Sequence, residues 1–238
     1  MESKINRYSK QLILINSFFI LAWLIISVFP FIWTFWGSFK VKADFFSRAD
    51  WMFAVTGVNT LIETGDTSTV KAYVESWTEG EFWKATMNTI IITVSVVTIS
   101  LFLGTLGAYA LSRSTYKYTF WILIAALIFR AMPHITLVSG YLFPFFQLNV
   151  WGILPTTIIV LVAINQPFTL WLLYSFFKTV PKELDESALI DGCSYFQAFR
   201  FVIMPVMWPG VVTAGLFSMM LAYNDFTVTS LLLNQQNY

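Results

Sequence analysis

Long runs without a formal charge constrain this chain of 238 residues more than any other feature of its sequence. No Asp, Glu, Lys or Arg occurs in residues 11–39, 85–112, 118–129, 131–177 or 201–224. A bilayer core about 30 Å thick is crossed by roughly 20 largely apolar residues in a helix, because every backbone N–H and C=O must find its partner inside the segment. The pattern predicts five spans, at residues 12–37, 85–111, 118–146, 153–177 and 206–233, with a polar, turn-like break at 147–152. The fold class that follows is an all-α polytopic membrane protein, read as one membrane domain over residues 1–238.

Composition narrows the chemistry. Hydrophobic residues make up 57% of the chain and charged residues 11%, against about a quarter charged in a soluble domain. The net charge of +1 offers no electrostatic footprint for nucleic acid. A single cysteine, Cys193, forms no internal disulfide, and a single histidine, His134, removes every multi-histidine metal motif. A polytopic enzyme would need a nucleophile with a base, paired carboxylates or metal ligands at membrane depth. No Ser/His or Asp/Asp pairing at helical spacing supplies them, so the chain reads as a non-enzyme.

Charge asymmetry orients the spans. The first apolar run follows Lys4, Arg7 and Lys10 as in a signal peptide, but it is too long and lacks a small-residue cleavage pattern, so it reads as a retained span. With the N-terminus cytoplasmic, the inner segments carry Lys4, Arg7, Lys10, Arg113, Lys117, Lys178, Lys182 and Arg200. The extracytoplasmic segment 40–84 then holds five basic against seven acidic residues. Trp33, Trp36, Trp83 and Trp151 fall near the outer interface, and Trp121 and Trp208 near the inner one. Segment 40–84 shows no clear period. Five spans place residues 234–238 outside, directly after an apolar helix.

The densest polar stretch is the loop 179–204, beginning TVPKELDESALIDGCSYFQAFR. It predicts two short helices. Pro181 suits a first helical turn, and Glu183, Asp185 and Glu186 follow where the helix dipole favours negative charge. Leu184, Ala188 and Leu189 form a narrow apolar stripe. Gly192 suits the left-handed residue that ends a helix, and Ser194 is a candidate N-cap for a second helix through Tyr195, Phe196, Phe199 and Phe201. Pro205 and Pro209 mark re-entry into the membrane.

The spacing Glu186-Ser187-Ala188, three residues, Gly192, nine residues, Val202-Ile203-Met204-Pro205 resembles the EAA motif of ATP-binding cassette (ABC) importer permeases. FPFIWTFWGSFK, FWKATMNTIIITVSVV and LGTLGAYALSR are similar to passages of the carbohydrate subfamily, on the MalG-like side of a maltose-type permease pair. Ser187, Cys193, Val202 and Met204 depart from the pattern by small or similar-volume exchanges, and YNDF at 223–226 stands where such permeases often read WNEF. The resemblance implies a type I importer architecture of six spans; five are present, so either five spans are genuine or the chain is a fragment without its last. It implies that Glu183, Leu184, Glu186, Ser187, Ala188, Leu189, Asp191, Gly192 and Pro205 belong to a coupling helix and its exit, with Leu184 and Leu189 as apolar anchors in a groove of a separate ATPase and Glu183 and Glu186 pairing with basic groove residues. Implied partners are a second permease, an ATPase pair that binds ATP and magnesium, an extracytoplasmic solute-binding protein, and a sugar or polyol substrate. No cofactor is expected on this chain.

Ionisable groups within a membrane usually face a cavity or a partner. Arg130 and His134 sit four residues apart on one face of the third predicted span, with Pro133 able to kink the helix between them, and Asp225 on the fifth could pair with Arg130. They line a translocation path or form a structural ion pair. Asn165, Gln166 and Pro167 fall mid-span, and with Tyr141, Phe145 and Trp171 they would suit a hydroxyl-rich ligand, or serve as interhelical glue. Asn88, Ser95, Gly104, Gly107, Ala108 and Ala110 read as close helix contacts. The rival to an ABC permease is a secondary transporter that couples an ion through Asp225 and Arg130.

Overall fold

The computed structural model describes residues 2–38 and 68–233, and every regular element among them is helical. Most of segment 40–84 and all of 234–238 lie outside the described residues, as do the side chains of Lys4, Arg7, Lys10 and Trp36. The chain forms two compact units, Met1–Phe82 and Trp83–Tyr238.

In the first unit, α1 (Glu2–Gly37) has a mean hydropathy of 2.6 over Leu12–Phe35 and buries none of that window. A helix apolar on every side suits lipid. It runs through Pro30, where the Thr34 hydroxyl donates to the Pro30 carbonyl at 2.7 Å. Within the segment where the sequence shows no period, α2 (Ser68–Thr78) forms an 11-residue helix.

The second unit begins one residue into α3 (Phe82–Arg113) and continues with α4 (Thr119–Ala131), α5 (His134–Gln147), α6 (Leu154–Thr179), α7 (Glu183–Ile190), α8 (Tyr195–Ala198), a π turn (Phe199–Ile203), α9 (Met204–Tyr223) and α10 (Phe226–Leu232). Helices α1, α3, α6 and the continuous run Tyr195–Tyr223 are each long and apolar enough to cross a membrane.

Two predicted spans differ from the observed helices. The third is broken: α4 and α5 meet at 88°. Met132 is extended at φ −69° and ψ 144°, as a residue before proline prefers, and Pro133 brings no N–H to continue the ladder. Arg130 and His134 therefore do not share one helical face but lie on either side of a bend. The fifth span starts earlier than residue 206, because α8 and the π turn run straight into α9, and it ends at Tyr223. There Asp225 turns extended and its Oδ1 accepts the Val228 N–H at 2.8 Å, starting α10 as a separate helix. Helix α6, by contrast, runs unbroken through Pro167.

Packing draws on small residues, since in lipid apolar helices are held together chiefly by close fit and interhelical hydrogen bonds. A Cβ on Gly104 would sit 3.2 Å from Gln166 Nε2, Thr169 Cγ2 and Leu173 Cδ1, so the bare backbone of α3 seats α6. Gly210 and Gly215 on α9 do the same for Phe176 and Leu101. The close-contact reading of Gly104, Gly107 and Ala108 holds. Two cores result. Ile92, Val96, Val138, Leu161, Ala222, Val228 and Leu232 fill one, and Ala108, Leu173, Phe177, Val180, Ile203, Met207 and Val211 fill the other. The break at 147–152 is a turn with Asn149 and Gly152 at positive φ, pinned to α10 by Gly152 N–H to Leu232 O at 3.1 Å and Trp151 Nε1–H to Leu231 O at 3.2 Å.

Candidate functional site

The loop between α6 and α9 folds into the two short helices expected. Pro181 precedes the first turn of α7 instead of occupying it: Lys182 is the N-cap, and the Pro181 carbonyl accepts the Leu184 N–H. Gly192 sits at φ +89° with nothing within 4 Å of where a Cβ would be. The reversal thus needs glycine for backbone conformation and not for space. Ser194 caps α8 in a full capping box: its hydroxyl accepts the Gln197 N–H at 3.3 Å, and the Gln197 side chain accepts the Ser194 N–H at 2.8 Å.

The faces of α7 divide cleanly. Asp185 and Ala188 are buried and Leu184 and Leu189 half-buried, while Glu183, Glu186, Ser187 and Ile190 face out, Ile190 at 86% exposure. Leu184 packs against this chain's own core instead of standing free as an anchor. The Ser187 hydroxyl is spent on the Glu183 carbonyl at 2.7 Å. Beyond the turn, Asp191 and Gly192 are exposed, and so are Tyr195 and Phe196. Pro205 lies within the first two positions of α9.

What the sequence does not announce is how α7 is held. Asp185 accepts a hydrogen bond from the Tyr109 hydroxyl on α3, and its Oδ2 lies 2.8 Å from Arg113 Nε. That N–H is not aimed at the oxygen, so the contact is an ion pair by distance and not an aligned hydrogen bond. Arg113 Nη1 also donates to Val180 O at 3.0 Å and to Phe177 O at 3.4 Å, two carbonyls at the end of α6. The Tyr109 ring packs on Phe199 and Phe177, with centroids 4.8 and 5.7 Å away. One guanidinium therefore joins the ends of α3 and α6 to the start of α7.

Farther along the bundle, the three ionisable groups meet in a chain. Arg130 donates to His134 Nε2, and His134 Nδ1 lies 3.2 Å from Asp225 Oδ2. A guanidinium has no acceptor, so the network assigns His134 the tautomer with Nδ1 protonated and donating to the carboxylate. The direct Arg130–Asp225 pairing expected from the sequence is replaced by one relayed through the imidazole. Arg130 and Tyr141 line a cleft of about 280 Å³ with Phe129, Ile164 and Pro167. Asp225 lines another of about 320 Å³ with Thr89, Thr93, Tyr223 and Thr229. Gln166 does not join them: its Nε2 donates to Ser100 O on α3 at 3.4 Å, as interhelical glue, and Asn165 is buried. Among the described residues no group of His, Cys, Asp and Glu is arranged to hold a metal ion.

Comparison with known proteins follows the same lines. Residues 97–237 match the family described as binding-protein-dependent transport system inner membrane component. The chain is similar to the diacetylchitobiose uptake system permease protein NgcG of Streptomyces coelicolor, 29% identical over 218 residues that cover 87% of this chain and 65% of that protein. It is 32% identical over 220 residues to the trehalose/maltose transport system permease protein MalG of Thermococcus litoralis, covering 91% of this chain and 73% of that one. Among solved structures, a chain of a bacterial ABC transporter involved in the import of the acidic polysaccharide alginate has the same fold. Its TM-score is 0.72 at 21% identity, covering 93% of this chain and 74% of that chain. The chain spans about two thirds of the length of the first two curated relatives.

Proposed function

The chain belongs to the family of binding-protein-dependent transport system inner membrane components, and from that premise we propose that it is a multi-pass permease subunit of an ABC importer for a carbohydrate or polyol. It works beside a second permease, receives substrate from an extracytoplasmic solute-binding protein, and takes its energy from a pair of separate ATPases that bind ATP and magnesium. The permease performs no hydrolysis. Its N-terminus and the α7–α8 loop lie on the cytoplasmic side.

The observation that carries this reading is the outward face of α7. A short helix with Glu183, Glu186 and Ile190 exposed, fixed to the bundle by its opposite face and reversed at Gly192, is the shape of a helix that docks in a groove. Closure of the ATPases around ATP pushes α7, and the bundle rearranges around clefts lined by Arg130, Tyr141 and Asp225, where hydroxyls of a sugar find charged and aromatic partners. The relatives named for diacetylchitobiose and for trehalose/maltose support a saccharide as the substrate class.

The test is co-purification. The chain is tagged and expressed with its partner permease and ATPase; Glu186→Lys, which reverses charge at an exposed position, is expected to lower ATPase recovery and sugar uptake together. Undiminished ATPase recovery, or sugar uptake driven by an ion gradient through this chain alone, refutes the proposal.

A further inference from the structure

A push on α7 reaches α9 through the covalent chain, because α8 and the π turn run into α9 without a break. It reaches α6 through the short link 180–182. No comparable link leads to α3, which is joined to the site only through space. Yet α3 supplies Thr89, Ile92 and Thr93 to the cleft that contains Asp225. Among the described residues the polar connection from α7 to α3 runs through Asp185 to Tyr109 and Arg113. The same Arg113 also grips the Phe177 and Val180 carbonyls at the end of α6, the helix that supplies Ala163, Ile164 and Pro167 to the cleft with Arg130 and Tyr141.

We infer that Arg113 is a positioning residue of the transport cycle: it passes displacement of α7 to α3 and α6 together, so that both clefts change in step. The inference rests on the proposed coupling role of α7. Three features fit transmission. The arginine and aspartate side chains are only 16% and 13% exposed, so solvent screens the pair little. The guanidinium is rigid and planar: its Nη1 donates to two carbonyls at the end of α6 while the same group stands 2.8 Å from the Asp185 carboxylate, so one cation touches two elements at once. The tyrosine hydroxyl shares the same carboxylate, so lateral slip of Asp185 disturbs two partners on α3 and not one.

The experiment uses the assembled transporter, purified through this chain with its partner permease and ATPases. Cys193, the one native cysteine, is replaced by Ser, and spin labels are placed at Met87→Cys on α3 and Met219→Cys on α9, both exposed positions. In the parent, the label-to-label distance is expected to differ between the nucleotide-free and the vanadate-trapped states. Arg113→Gln is expected to abolish that difference while ATPases still co-purify and hydrolyse ATP, with uptake per ATP lowered about tenfold, a coupling loss of ordinary allosteric size. Arg113→Lys, which keeps the charge but loses the fork, is expected to restore part of the difference. Asp185→Asn repeats the measurement should Arg113→Gln fail to assemble. An unchanged distance difference in Arg113→Gln or Asp185→Asn overturns the inference, as does a parallel fall of assembly and ATP hydrolysis in both. A parent complex that recovers no ATPase overturns the coupling role itself, and this inference with it.

Discussion

Adding one methyl group at three glycines tests whether the seat between α3 and α6 is as tight as its geometry says. In each case a helical Gly→Ala exchange gains about 1 kcal/mol of intrinsic helix preference. Packing sets the other side. At Gly140 on α5 nothing lies within 4 Å of the new Cβ, so the gain stands alone. At Gly107 a single flexible terminus, Leu170 Cδ1, lies 3.2 Å away and can rotate aside, leaving a change near zero. At Gly104 the Cβ meets Gln166 Nε2, Thr169 Cγ2 and Leu173 Cδ1 at 3.2 Å simultaneously. These side chains lie along two turns of one helix, and Thr169 and Leu173 are fully buried, so they have little room to turn aside. Overpacking of a filled site costs about 1–3 kcal/mol, so after the helix gain Gly104→Ala is expected to be destabilised by about 0–2 kcal/mol. The spread between Gly140→Ala and Gly104→Ala is then about 1–3 kcal/mol, a clear difference in midpoint when purified protein in detergent micelles is unfolded and followed by far-ultraviolet circular dichroism. Equal or greater stability of Gly104→Ala relative to Gly140→Ala would refute the tight seat.

Gly192→Ala places a Cβ in open space but at φ +89°, so it should weaken the reversal by about 1–2 kcal/mol and Gly192→Asn by less, read as faster backbone hydrogen exchange across α7 and α8; equal exchange in both variants counts against a conformational role. Ser194→Ala removes the hydroxyl half of the capping box and is expected to cost about 1 kcal/mol, with α8 amides losing protection while α6 amides keep theirs. Asp225→Asn retains an oxygen to cap α10 but loses the charge facing His134, so normal assembly with reduced sugar uptake is expected, and unaltered uptake removes Asp225 from the translocation path.

The apolar helices were legible because lipid leaves so few choices. Runs without charge predict α3 and α6 within a few residues, and the polar interval 147–152 predicts their neighbour's turn. Hydropathy is blind to a bend, however. Residues 118–146 are apolar on both sides of Pro133, so the only trace of the 88° break is the proline itself, and Pro167 in α6, which produces no break, looks the same in the sequence. Ser194 is legible as a cap from its type and place, and the Gln197 that completes the box stands at the expected third position. Asp225 reads from the sequence as an ion-pair partner; its second task, starting α10, follows from the preference of Asp for the N-cap position.

The division of labour within α7 was out of reach for a different reason. Four of the thirteen acidic residues fall in this loop, and on an eight-residue helix Asp185 and Glu186 are neighbours of equal charge. Which of them turns inward depends on a tyrosine 76 residues earlier in the chain and on an arginine beside it, a contact that no local pattern encodes. Once that contact is known, the periodicity settles the rest. With Asp185 and Ala188 inward, positions 183, 186, 187 and 190 must share the opposite face. Removing an acid from Asp185 and from Glu186 therefore differs in kind. The first takes the carboxylate from a half-buried guanidinium and loosens α7 from α3, while the second leaves the helix seated and alters only the surface it offers.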